Sequence, residues 1–357
     1  MKKKNKAIYL LFLMPFVYFA TACFVVWLVK TSGIYPSGSD TMYHVYRGDY
    51  VYNAIKSGNW YPLYDPAWYN GVEILRYWSP FPAYVMAFCQ YLAGGSQFGA
   101  YLFYIGGVCF LGACVWPFIG RGFNRPYMGA FIGLLWFFMP NNLCAIFIEG
   151  NLARSLSMIF LPVFIYSVYK YLYNHKLRYI PLMVFTFLLM ELCHLGYAGM
   201  VAIAVIIYGI VYMIQKGRKK AVLDVVISMI FGFMLLGIWL VASLRGGITS
   251  LDNSENMANF FQNLWITINP FERLTRGFEY FYFGFAALVV IVFGILFGYK
   301  KSRTGFVTGF IILLMTTKSA YAVLKHLPGS QYLWMLRFIS IALCMILMSF
   351  IMWDRLK

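Results

Sequence analysis

Ten predominantly apolar runs of 17 to 23 residues restrict the folds open to this 357-residue chain. A helix of about 20 apolar residues crosses the hydrocarbon core of a bilayer. Only 11% of the residues are charged and 62% are hydrophobic, so a soluble enzyme and a disordered chain are both excluded. The sequence predicts an all-α polytopic membrane protein of about ten transmembrane helices. The runs lie at 7–29, 98–119, 128–147, 153–173, 179–195, 198–215, 221–243, 278–298, 304–322 and 331–352.

The positions of lysine and arginine predict how these spans are oriented. With the N-terminus inside, 18 of the 29 basic residues fall on the inner side, together with only two acids, Asp224 and Asp354. Such an excess of positive charge is typical of cytoplasmic loops. The net charge of +17 therefore indicates topology and not nucleic-acid binding. We expect both termini in the cytoplasm and the protein in the cell membrane.

The apolar run 80–94 is too short to cross a bilayer unaided. If it crossed, the basic clusters at 121–125 and 216–220 would face outwards, so we interpret it as a helix at the membrane surface. The chain is then one integral membrane domain, 1–357, with a first extracytoplasmic loop at 30–97 that contains juxtamembrane helices. A second such loop, 244–277, contains an amphipathic stripe that fits packing on the outer loops or a lid resting on the membrane.

Ionisable residues gather in the first loop. If a helix starts near Ser39, then Asp40, His44 and Arg47 share one face at i, i+4 and i+7, whereas Asp49 points away. This face predicts a binding or catalytic site. The alternative is an exposed first helical turn, in which an acid interacts favourably with the helix dipole.

Other ionisable residues lie near the outer ends of predicted spans. They are Glu149, Arg154, Glu191, His194 and Arg337. Charged groups inside spans usually face a water-filled cavity or a partner. We therefore expect Asp40, His44, Arg47, Glu149, His194 and Arg337 to converge on one outward-facing pocket. Two interpretations of Glu191 and His194 stay open: they line the cavity, or they form a structural hydrogen-bonded pair. A divalent-metal site from Asp40, His44, Glu149 and His194 stays open, although no ligand spacing is diagnostic.

The order of several short motifs resembles a known group of enzymes. An acid follows the first span, a helix ends in Ser-Gly-Asn-Trp-Tyr-Pro at 57–62, and Pro80-Phe-Pro82 enters the surface helix. This order is similar to class C glycosyltransferases, and closer still to the bacterial membrane family labelled 6-pyruvoyl-tetrahydropterin-synthase-related, whose label implies no pterin chemistry. The motifs that resemble this closer family are Glu149–Arg154 with Leu161-Pro162, Leu192-Cys-His194-Leu, and Leu327-Pro328-Gly with Leu336-Arg337-Phe338.

The resemblance implies an inverting glycosyltransferase that uses a polyprenyl-phosphate sugar donor in the membrane. Asp40 would be the general base, and Arg47, Arg154 and Arg337 would surround the donor phosphate. We expect an extracytoplasmic acceptor, in an envelope glycan, glycolipid or protein, and envelope-biosynthesis proteins as partners. Two alternatives remain, a non-catalytic subunit of an envelope-polymer assembly machine and a transporter or flippase for a lipid-linked glycan.

Overall fold

The structure is a computed structural model that describes residues 2–36, 38–68, 70–245, 285–298, 300–326 and 334–353. In these ranges the chain is helical and contains no strand, only an isolated antiparallel bridge between Asp65 and Val72. A short 3-10 helix, Met335–Arg337, precedes the last α-helix. The α-helices are α1 (Lys2–Ser32), α2 (Thr41–Lys56), α3 (Phe81–Leu92), α4 (Gln97–Gly122), α5 (Pro126–Trp136), α6 (Pro140–Phe147), α7 (Leu152–Asn174), α8 (Tyr179–Cys193), α9 (Leu195–Lys216), α10 (Lys219–Leu235), α11 (Gly237–Arg245), α12 (Phe285–Phe297), α13 (Lys300–Met315), α14 (Lys318–Leu324) and α15 (Phe338–Ile351).

Several helices are suited to crossing a membrane. Among the described residues, α1, α4, α7 and α9 are each long and apolar enough to do so. Two bent pairs raise the number to six if each pair is one span: α5 with α6, bent by 42°, and α10 with α11, bent by 65°. The chain is therefore a multi-pass membrane protein. Every predicted span contains helix, but the count of ten stays a prediction.

The bundle is organised around α7. In its most apolar window 83% of the residues are buried, compared with 28% in α1, so α7 lies at the centre and α1 at the periphery. The two helices between α1 and α4 are not among the helices long and apolar enough to cross a membrane, and they pack against each other over a small apolar core of their own. The buried residues of that core are Val51, Ile74, Leu75, Ala83 and Ala87. The predicted helix at 80–94 is present as α3.

Helix ends collect at two opposite ends of the bundle. At one end the turn after α1 meets the segment before α7, where the Asp40 N–H donates to the Glu149 carbonyl at 2.9 Å. At the other end the last turn of α7 meets the start of α13, where the Tyr173 hydroxyl donates to the Lys301 carbonyl at 3.2 Å. We call these the Asp40 end and the Lys301 end.

Close packing of α4 against α5 depends on two glycines. A Cβ atom at Gly120 would lie 2.6 Å from the Arg125 carbonyl oxygen and 2.7 Å from the Gly129 Cα, both of which are backbone atoms that cannot rotate away. On the same helix, a Cβ atom at Gly107 would meet nothing within 4 Å.

We therefore expect Gly120→Ala to lower the stability of the protein by about 1–3 kcal/mol, the usual range for overpacking. Gly107→Ala is the matched control, because it makes the same gain in helix propensity without a clash. Thermal unfolding in detergent at one scan rate measures both. Equal midpoints for the two variants would show that this helix crossing tolerates a methyl group.

Candidate functional site

A cavity of about 520 Å³ opens at the Asp40 end of the bundle. Its walls come from segments far apart in the sequence, which the helix ends bring together. Five of the residues predicted to form a site line it: Asp40, His44, Arg47, His194 and Arg337. The other lining residues are Tyr43, Tyr77, Trp78, Ser79, Asn151, Ala153, Cys193, Leu195, Gly196, Trp239, Ser243 and Trp334.

Asp40 is held in place by backbone contacts with the segment before α7. Its N–H and the Ser39 hydroxyl both donate to the Glu149 carbonyl at 2.9 Å. The approach is close because Gly38 lies against Gly150: a Cβ on Gly38 would sit 2.7 Å from the Gly150 Cα. Gly150 also has a φ of +65°, which favours glycine. The contact of Gly38 with Gly150 and the two hydrogen bonds to the Glu149 carbonyl thus fix the position of Asp40.

The Asp40 carboxylate faces the cavity and does not cap its helix. Asp40 occupies the N-cap position of α2 but makes no side-chain cap hydrogen bond. Burial raises the pKa of this carboxyl, and the positive charge of Arg337 acts in the opposite direction. Ser39 Oγ, at 3.3 Å from Oδ1, also favours the charged form. A partly desolvated carboxylate is a stronger proton acceptor than one in water.

The two other aspartates of the first loop are occupied by structural contacts. Asp49 accepts a hydrogen bond at 2.6 Å from Gln90 Nε2 of α3. Asp65 accepts one at 2.6 Å from the Tyr46 hydroxyl and another at 2.9 Å from the Ala67 N–H. Neither residue lines the cavity. Asp49 therefore points away from Asp40, as the helical spacing predicts.

Glu149, Arg154 and Arg337 form a charged cluster beside the cavity. Glu149 Oε1 lies 2.5 Å from Arg154 Nη2, and Oε2 lies 3.3 Å from Arg337 Nε. Arg154 is completely buried, and its Nε and Nη1 have no hydrogen-bond partner among the described residues. Glu149 and Arg154, both predicted to bind substrate, do not line the cavity. Glu149 and Arg154 affect the cavity through Arg337, which pairs with Glu149.

The two histidines of the cavity are neutral hydrogen-bonding groups. Burial, together with the nearby charges of Arg47 and Arg337, lowers the pKa of His44 to about 3. His194 Nδ1 accepts a hydrogen bond from the Tyr197 N–H at 3.1 Å, as the N-cap of α9. The neutral ring then carries its proton on Nε2, which lies 3.5 Å from Asn151 Nδ2.

The buried acid next to His194 has a different environment. Glu191 is buried and does not line the cavity. Its Oε2 has no hydrogen-bond partner in the described part of the chain, so the pairing with His194 that the sequence suggested is not formed. Its backbone carbonyl accepts the Ser79 hydroxyl at 2.9 Å, which ties α8 to the first loop.

Arg47 is buried against aromatic rings at the cavity wall. Its guanidinium carbon lies 5.4 Å from the ring centroids of Tyr43 and Trp78. Nη2 donates to the carbonyls of Trp78 and Ser79 at 3.4 and 3.5 Å. Burial lowers the pKa of Arg47 to about 10, so the side chain stays charged at neutral pH.

Sequence reasoning missed the aromatic wall of the cavity. Its members are Tyr43, Tyr77, Trp78, Trp239 and Trp334. Tyr43 follows Asp40 by three residues on the same helix, so helical spacing contained a signal for it. Trp239 lines the cavity because the chain bends between α10 and α11. At this bend the Trp239 Nε1 donates to the Leu75 carbonyl at 2.8 Å.

Some predicted features lie outside the described residues. They are nearly all of the loop 244–277 with its amphipathic stripe and the motif Leu327-Pro328-Gly. For the proposed metal site, the described residues contain no group of three or more His, Cys, Asp or Glu side chains placed to hold an ion.

The fold and the cavity define a multi-pass helical membrane protein with a charged, aromatic-walled site at one end of its bundle. A family model described as 6-pyruvoyl-tetrahydropterin synthase related domain, membrane protein, matches residues 75–357. The chain belongs to this family, as its motifs suggested. The match includes Glu149, Arg154, His194 and Arg337, whereas Asp40, His44 and Arg47 precede it. Neither a curated protein nor a solved structure matches the chain.

The charged cluster generates a prediction about stability. Glu149→Gln leaves the buried Arg154 without its counterion, so we expect a loss of about 3–5 kcal/mol. Glu73→Gln is the matched control, since Glu73 pairs with Arg76 where both side chains are partly exposed, and such pairs contribute about 0–1 kcal/mol. Thermal unfolding of both variants in one detergent compares them. Similar midpoints would mean that Arg154 is compensated by another group.

Proposed function

We propose that the protein is a membrane glycosyltransferase that moves a sugar from a polyprenyl-phosphate donor to an acceptor outside the cytoplasm. The observation that carries this proposal is the pairing of two unlike groups in one cavity. Asp40 has no ion-pair partner within 4 Å among the described residues, and it faces the same space as Arg337. Such a site combines a proton acceptor with a binding group for phosphate.

The reaction follows from these two groups. Asp40 takes the proton of the acceptor hydroxyl, and the acceptor oxygen forms a bond to the anomeric carbon of the sugar. The bond from that carbon to the phosphate oxygen breaks, and the electron pair leaves with the polyprenyl phosphate. Attack on the face opposite the phosphate inverts the anomeric configuration. Negative charge grows on the leaving phosphate, where a guanidinium stabilises the transition state.

The charge balance of the site favours an anionic ligand. Three arginines (Arg47, Arg154 and Arg337) face two carboxylates (Asp40 and Glu149), which leaves one positive charge in excess when the histidines are neutral. Arg47 and Arg337 both line the cavity. Of the two, Arg337 has the larger effect on the Asp40 carboxyl, so we assign the donor phosphate to it. Arg154 holds Glu149, and Glu149 in turn orients the Arg337 guanidinium.

The membrane arrangement that suits this function is the one that the apolar runs and the charge pattern predict, with ten spans and both termini inside. Residues that the charge pattern assigns to the cytoplasm meet near the Lys301 end: Lys170 Nζ donates to the Gly122 carbonyl, and Arg125 Nη2 to the Trp353 carbonyl at 3.4 Å. The cavity lies at the opposite end. On this arrangement it opens on the extracytoplasmic face, where a sugar donor must be attached to a lipid.

Asp40→Asn tests the base assignment. The amide keeps the size of the side chain but cannot accept the proton, so turnover should fall by about 10²–10⁴-fold with donor binding largely retained. The assay is transfer by purified protein in liposomes against a panel of labelled polyprenyl-phosphate sugars. Asp49→Asn is the control on the same helix, because Asp49 contacts Gln90 away from the cavity.

Two outcomes would contradict the proposal. A folded Asp40→Asn protein that turns over within about threefold of the wild type would exclude Asp40 as the base. The absence of transfer from every donor by a folded wild-type protein would instead favour a non-catalytic subunit of an assembly machine.

The topology is tested separately by cysteine accessibility in intact cells. A cysteine introduced at Lys56 should react with a membrane-impermeant reagent added outside, whereas one at Lys219 should react only after permeabilisation. The physical reason is the enrichment of basic residues in cytoplasmic loops. Labelling of position 219 from outside would show that the orientation is the reverse and that the cavity opens on the cytoplasmic face.

A further inference from the structure

Arg47 differs from the other arginines of the site because it has no carboxylate within ion-pair distance among the described residues. It is only 2% exposed, yet it lines the cavity. Its Nε has no hydrogen-bond partner in that part of the chain. The bonds from Nη2 to the Trp78 and Ser79 carbonyls, at 3.4 and 3.5 Å, are long. A buried guanidinium in this state is destabilising until a counterion arrives.

Arg47 and Arg337 act on different parts of the cavity. Both positive charges lower the pKa of His44, so both lie near this residue. On the Asp40 carboxyl, the positive charges with the largest effect on the pKa are those of Arg337 and Arg154. The Cα atoms of Asp40 and Arg47 are about 10 Å apart along the helix axis. Arg47 is held by the Trp78 and Ser79 carbonyls and Arg337 by Glu149, so the two guanidinium groups occupy different places in the cavity wall.

We propose that Arg47 binds a second anionic group of the substrates, separate from the phosphate at Arg337. This group is an oxyanion, a phosphate or a carboxylate, carried by the transferred sugar or by the acceptor. The proposal rests on the proposed function, because it takes the donor phosphate as the first anion. The Tyr43 and Trp78 rings hold the guanidinium at the cavity wall, where it meets no carboxylate within ion-pair distance among the described residues.

An anion site at Arg47 narrows the class of substrates that the cavity accepts. A neutral sugar transferred to a neutral acceptor would leave Arg47 buried without a counterion in the ternary complex. Sites that bury an unpaired polar group discriminate strongly against the ligand that fails to pair with it. Substrates with an anion at this position are therefore selected over neutral analogues.

Thermal shifts of the full-length protein in detergent test the second anion site. The probes are a polyprenyl phosphate at saturation and then inorganic phosphate. We expect two successive increases in the unfolding midpoint of the wild type, because each ligand binds the folded state. Arg47→Met should keep the first increase and weaken inorganic phosphate binding at least about tenfold. Arg337→Gln should instead diminish the first increase.

The stability of ligand-free protein gives an independent readout. Replacing an uncompensated buried charge by an apolar side chain of similar length is often neutral or stabilising, so Arg47→Met should not lower the ligand-free midpoint. Arg76→Met, at a partly exposed site, is the control. If Arg47→Met does not fold, Arg47→Lys replaces it and should bind phosphate more weakly, because lysine lacks the two-pronged geometry.

Two results would overturn the proposal. One is binding of inorganic phosphate to the Arg47→Met protein within about threefold of the wild type, and the other is no second increase in the unfolding midpoint of the wild type.

A polyprenyl-phosphate donor with a uronic acid sugar identifies the source of the anion. Loss of the phosphate shift with that donor places the anion on the sugar, and its persistence places it on the acceptor. None of these measurements requires turnover, so failed sugar transfer with both shifts intact would refute the proposed function alone.

Discussion

Glu149 is the residue on which the geometry of the cavity depends. Its carbonyl oxygen accepts the Asp40 N–H and the Ser39 hydroxyl, and its carboxylate pairs with Arg154 and Arg337. One residue thus joins the turn after α1, the start of α7 and the segment that leads into α15. Because these segments are distant in sequence, no local interaction could set their relative positions. Removing the carboxylate would release the Arg337 guanidinium from its orientation beside Asp40.

A cluster of this kind is costly near a membrane unless its charges compensate one another. Arg154 is fully buried, and one carboxylate serves both it and Arg337. The excess positive charge is therefore concentrated at the cavity wall. Burial and the charges of Arg47 and Arg337 keep His44 neutral, so the positive charge at the wall stays on the two arginines. The resulting site is electrostatically prepared for an anion before any ligand arrives.

Periodicity and charge predicted the helical architecture and much of the site, and local contacts explain where they failed. The 3.6-residue repeat separated Asp49 from Asp40 because both lie on one regular helix. It could not show that Glu149 turns towards Arg154, five residues later, because a left-handed Gly150 and the N-cap Asn151 lie between them. The bend between α10 and α11 was also hidden, since residues 221–243 read as one apolar run. Trp239 therefore became visible only in three dimensions.

The two carboxylates beside the cavity differ in how closely guanidinium groups approach them. Both oxygens of Glu149 lie within ion-pair distance of guanidinium groups, Oε1 of Arg154 and Oε2 of Arg337. Among the described residues, the Asp40 carboxylate has one hydrogen-bonding side chain, the Ser39 hydroxyl at 3.3 Å, and burial raises its pKa. Environments that separate two acids in this way assign them different roles. In the proposed reaction Glu149 is then the positioning residue and Asp40 the proton acceptor, although Glu149 is the acid that lies within the family match.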